Sequence, residues 1–122
     1  MKRLLALIAA FSLLSGQAFA GTVYITEFAG ILIGPQGVQT QVALEPVLAD
    51  QTVTSSGVSA SSAAVNAQTR FVRITTDSII CVVSGTGTVT ATTGKRRMAA
   101  DTVEYFAVPL GGSYKFAVIT CT

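Results

Sequence analysis

The side chains in this sequence able to do chemistry are few and widely spaced. Histidine is absent, which removes the commonest neutral-pH acid–base group and metal ligand. The six acids, Glu27, Glu45, Asp50, Asp77, Asp101 and Glu104, form no cluster at metal-ligand spacing, so no metal site is expected. A glycosidase needs two carboxylates that meet in space, and nothing in their spacing announces such a pair. Serines are plentiful, but without histidine or a Gly-x-Ser-x-Gly turn there is no recognisable nucleophile system, leaving open only a Ser–Lys arrangement. Gly85-Thr-Gly87 resembles part of a phosphate-cradling loop, yet it joins two strand-like runs and lacks the helix N-terminus that holds an anion. It is expected to be a plain turn. No catalytic residue and no cofactor is assigned.

Two features remain. Lys95-Arg96-Arg97 is a basic run on an expected loop, either solvated or in contact with a phosphate or an acidic partner surface. Cys81 and Cys121 are either two buried thiols or a disulfide, which at their separation would contribute roughly 4 kcal/mol by loop entropy. The residues leave both readings open, and the spacing suits neither a CxxC redox motif nor a zinc site. Tyr24, Phe71, Tyr105, Phe106, Tyr114 and Phe116 are able to line a sugar-binding face, but inside strands of a chain without tryptophan they read first as core.

The elements that must position these groups begin after residue 20. Lys2-Arg3, the apolar run Leu4 to Leu14 and Ala18-Phe19-Ala20 have the three parts of an export signal, with cleavage expected after Ala20. The rival reading, a retained anchor, meets the difficulty that the run is shorter than the about 20 residues that span a bilayer. The full chain carries eight Lys plus Arg against six Asp plus Glu. Without Lys2 and Arg3, residues 21–122 balance, so no nucleic-acid partner is expected, because that binding depends on clustered cationic side chains. The length is that of one domain, and a composition half hydrophobic and 11% charged builds a core readily.

Within 21–122 the pattern is of short strands. Arg70 to Thr75 and Ile79 to Val83, separated by Thr76-Asp77-Ser78, read as a hairpin. The second run is apolar on both faces and therefore central. Thr22 to Ala29 reads as the opening strand, and Ile31 to Ile33 with Val38 to Leu44 as a hairpin around Gly34-Pro-Gln-Gly37. Further strands are expected at Gln51 to Thr54, Gly87 to Thr93, Thr102 to Val108 and Tyr114 to Thr120, with Gly94 to Asp101 a loop. About eight short strands with turn signals between them predict an all-β fold, an antiparallel β-sandwich for which a jelly roll is one winding.

Several stretches together resemble small β-rich accessory proteins of tailed bacteriophages and prophages. They are Thr22-Val-Tyr-Ile-Thr-Glu-Phe, Ala67-Gln-Thr-Arg-Phe-Val-Arg-Ile-Thr-Thr-Asp, Arg97-Met-Ala-Ala, Glu104-Tyr-Phe-Ala-Val-Pro and Tyr114-Lys-Phe-Ala-Val-Ile. The resemblance implies a non-enzymatic virion component, such as a head decoration protein, acting by homo-oligomerisation and docking on a larger assembly. The export-type leader departs from that pattern and points to an exported relative or to an unusual assembly route. A separate expectation is an exported module that binds surface carbohydrate or a cell-envelope partner, which needs aromatic side chains exposed in a row.

Overall fold

Val23 and Ile25, two residues apart and both fully buried, set the inner face of the first strand, β1 (Gly21–Phe28). A computed structural model of the chain describes residues 20–37 and 39–122. The leader expected over residues 1–20 lies outside the described residues except for Ala20, as does Val38 of the expected hairpin. That hairpin forms from β2 (Ile31–Ile33) and β3 (Gln39–Ala43), joined through a 3-10 turn at Pro35–Gly37. The other strands are β4 (Ala49–Ser55), β5 (Ala60–Ser61), β6 (Phe71–Thr76), β7 (Ile80–Thr86), β8 (Arg96–Met98), β9 (Thr102–Ala107) and β10 (Tyr114–Thr120).

Eight of these strands form two antiparallel sheets, in the orders β4-β1-β6-β9 and β5-β10-β7-β8. The protein is an all-β sandwich. From β4 onward every connection crosses between the sheets except β7 to β8, while β1 fills the place between β4 and β6. This is the winding of a jelly roll in which the strand closing the first sheet comes from the N-terminal side.

The core lies between the inner faces. Val23, Ile25, Val53, Val72 and Ile74 of one sheet meet Ile80, Val82, Met98, Phe116 and Val118 of the other. Phe106 and Phe116 touch edge to face across the gap, with centroids 5.6 Å apart. Alternation explains the choice of face: in β6 the buried Val72, Ile74 and Thr76 alternate with the half-buried Phe71, Arg73 and Thr75, as period-2 strands require.

Three expected elements come out differently. β6 and β7 are not a hairpin, because they lie in opposite sheets. Thr76-Asp77-Ser78 turns the chain from one layer to the other. Thr76 Oγ1 donates to Ser78 O at 2.8 Å, and Asp77 Oδ1 accepts the Thr22 N–H at 2.7 Å, tying the arch to β1. Each strand finds two other partners, β6 between β1 and β9, β7 between β10 and β8. β7 is accordingly an interior strand, as its two apolar faces require.

Gly87 to Thr93 is not a strand, and Arg96–Met98 within the expected loop is one. With β10 and β8 already flanking β7, no free edge next to it remains for the threonine-rich segment. It runs over the outer face of the second sheet instead. Ala91 N donates to Ser59 Oγ at 2.8 Å, and Thr93 O lies 3.5 Å from Cys81 Sγ. Its alternation survives as burial without a ladder: Ala91 is buried and Val89 half-buried, while Thr88, Thr90 and Thr92 are exposed. The segment lies against Cys81, which points away from the core and is nevertheless buried.

Candidate functional site

The basic run is divided by the pleat of β8. Arg96 pairs with Val82 and Arg97 with Cys81, so Arg96 points toward the sandwich interior and Arg97 away from it. The Arg96 guanidinium lies 4.8 Å from the Phe106 ring centroid, and its Nη2 is 2.7 Å from Glu104 Oε2. The contact is an ion pair by distance and is not aligned as a hydrogen bond. Arg96 thus closes the seam between β8 and β9. Lys95 and Arg97 stay exposed.

Cys81 and Cys121 form a disulfide, with Cα atoms 5.6 Å apart. Ile119 sits opposite Cys81 in the β7–β10 ladder, so Cys121 lies one diagonal step away, and its N–H donates to Ile79 O at 3.1 Å. The bond fastens the chain's last residues to an interior strand. Such bonds persist in oxidising compartments, and among the described residues no helix is long and apolar enough to cross a membrane.

Glu27 is a group that sequence reading left among scattered acids. It is 1% exposed at the inner end of β1. Its Oε1 accepts from Gln51 Nε2 at 2.6 Å, and its Oε2 accepts from Asn66 N and Thr69 Oγ1, each at 2.7 Å. Among the described residues no Lys or Arg lies in ion-pair contact with it. Three donors from two separate segments replace its water. This carboxylate holds the loop before β6 against the sheet and is buried rather than facing an open site. The acids Asp77 and Asp101 line one recess of about 330 Å³ beside Tyr24, but Asp77 is already engaged by Thr22. Among the described residues no group of three metal-ligating side chains comes together.

The open surface is the outer face of the β4-β1-β6-β9 sheet. The register places its side chains in cross-strand rows. Asp50, Thr26, Arg73 and Tyr105 form one row; Thr52, Tyr24, Thr75 and Val103 form the next. Tyr24 is 49% exposed, Val103 52% and Tyr105 58%. At the end nearer the β2–β3 hairpin, Phe28 stacks on Phe71 with centroids 5.0 Å apart, and Phe71 lies 6.2 Å from Tyr105. Arg73 extends over Phe28, 5.6 Å from its centroid. A recess of about 410 Å³ between Ile31, Phe71, Tyr105 and Ala107 is continuous with this cluster. Another, about 390 Å³, lies among Tyr24, Thr52, Asp50 and Arg73.

This face corrects the reading of the tyrosines as core. Phe116 is buried and Phe71, Phe106 and Tyr114 are half-buried, but Tyr24 and Tyr105 are not. For Tyr24 the signal was present, since it has the parity opposite to Val23 and Ile25. For Tyr105 it pointed the wrong way, because Val103, Tyr105 and Ala107 form the more apolar parity of β9 and yet face outward, while the mixed parity of Thr102, Glu104 and Phe106 turns inward. No family model, no curated protein and no solved structure matches this chain.

Proposed function

We propose that this chain is a non-enzymatic structural building block, related to the accessory components of phage virions, that works by self-association and docking on a larger assembly. The observation that carries the reading is the outer sheet face, where three large apolar or aromatic side chains stand exposed on a four-stranded, low-charge surface. Contiguous exposure of this kind marks interaction surfaces. The polar groups best suited to chemistry are occupied elsewhere: Glu27 by three donors, Glu104 by Arg96, and both cysteines by each other. The disulfide favours an exported or envelope-associated setting for the assembly. Light scattering of the oxidised chain at high micromolar concentration tests the proposal. Oligomers are expected, and a monomer would remove its basis.

A second reading has its own observation. Tyr24 and Tyr105 are exposed on the same face as Asp50 and Arg73, the combination of flat ring and hydrogen-bonding groups with which an exported module would hold carbohydrate. Retention of the wild-type chain on insoluble polysaccharide, lost in Tyr24→Ala and Tyr105→Ala, is its expected result.

A further inference from the structure

We infer that a second copy of this chain docks on the outer face of the β4-β1-β6-β9 sheet, about a two-fold axis running along β1, with Asp50 of each copy opposite Arg73 of the other. This rests on the self-association reading above and names its surface.

Thr26 on β1 pairs with Asp50 on one side and with Arg73 on the other. The acid and the base therefore lie one strand to either side of β1, each displaced by about 4.8 Å. They are the only charged residues at the outward-facing positions of the four strands, so the face is neutral. Within one molecule they make no ion pair with each other. A two-fold axis along β1 exchanges the β4 and β6 positions, which sets Asp50 against the partner's Arg73 and Arg73 against the partner's Asp50. An interface between identical patches must be self-complementary in this sense.

The neighbouring row obeys the same operation. Thr52 and Thr75 flank Tyr24 on β4 and β6. After the rotation threonine faces threonine, and Tyr24 meets its own copy at the axis, where two half-exposed rings cover one another. Val103 and Tyr105, one strand further out on β9, reach past the partner's edge strand β4 and close the rim.

The test is charge reversal with mixing, read by light scattering and analytical ultracentrifugation, with thermal unfolding as a check that each variant folds. Wild type is expected to be dimeric. Asp50→Arg places like charges in both symmetric contacts, as does Arg73→Asp, so each alone is expected to dimerise at least tenfold more weakly. Mixing the two variants restores every contact, and a heterodimer of near wild-type affinity is expected, as is recovery when both changes are combined in one chain. Wild-type dimers with both single variants unaffected would overturn this surface while leaving self-association standing. A monomeric wild type would overturn both. A monomeric wild type whose tyrosine fluorescence shifts on adding soluble polysaccharide would transfer the face to a glycan.

Discussion

Glu27 and Thr69, forty-two residues apart in the chain, are joined by a 2.7 Å hydrogen bond inside the protein, Thr69 Oγ1 donating to the carboxylate. Both residues are buried, at 1% and 0% exposure. The same carboxylate holds Asn66 N and Gln51 Nε2, so one side chain ties β1, β4 and the loop before β6 into a single unit.

Replacing that carboxylate is expected to cost stability well beyond one ordinary hydrogen bond. Glu27→Gln turns one accepting oxygen into a donor facing other donors. Bonds to a charged group are worth about 1.5–3 kcal/mol each, so a loss of about 2–4 kcal/mol is expected. Urea unfolding measures it. Thr69→Val, which removes one donor, should lose about half as much, and equal midpoints for all three proteins would show that the loop is held by other means.

Reduction of Cys81–Cys121 is expected to destabilise the fold by about 4 kcal/mol, the loop-entropy value for a closure of this length. The check is unfolding with and without reductant, together with intact mass. Reduction should add two protons to the mass, and the Cys81→Ala and Cys121→Ala double variant should reproduce the lower midpoint. Because the bond anchors the end of β10 to an interior strand, limited proteolysis should then begin at the C-terminal end.

Arg96 and Glu104 join the two sheets at the β8–β9 seam, but their side chains are 60% and 28% exposed. Solvent screening limits such a pair to about 0–1 kcal/mol. A double-mutant cycle with Arg96→Ala and Glu104→Ala should give a coupling in that range, falling as salt is raised. Arg96→Ala should lose more than Lys95→Ala or Arg97→Ala, because only Arg96 covers an aromatic ring. Equal effects of all three would return Arg96 to the solvated run.

Gly112, in the turn before β10, has φ +73°, and a Cβ placed on it would meet the Ala67 Cα at 3.0 Å. Backbone on one side and an unfavourable dihedral on the other leave little relief. Gly112→Ala should cost about 1–3 kcal/mol, measured by thermal unfolding. Gly57→Ala, where nothing lies within 4 Å of the new carbon and no positive φ is required, is the control and should change little.

The sequence by itself determined which side chains turn inward along most of the chain, because period-2 alternation is a local property of an extended backbone. Val23 and Ile25, Val72 and Ile74, and Phe116 and Val118 each sit two residues apart and share a buried face, and both apolar faces of β7 are covered, as expected of an interior strand. Even where no strand formed, Ala91 and Val89 are more buried than the threonines that alternate with them. What only the tertiary structure decided was who lies beside whom. A turn sequence such as Thr76-Asp77-Ser78 fits a hairpin and an arch between sheets equally well, and the choice fell to β1, β9, β10 and β8, which outcompeted β6 and β7 for each other's edges. The donors to Glu27 lie 24, 39 and 42 residues away, so no local pattern foretold that this acid is structural. The exposure of Tyr105 and the placing of Asp50 and Arg73 on either side of Thr26 have the same origin: strand order sets them, and strand order is fixed by long-range packing rather than by the residues next in the chain.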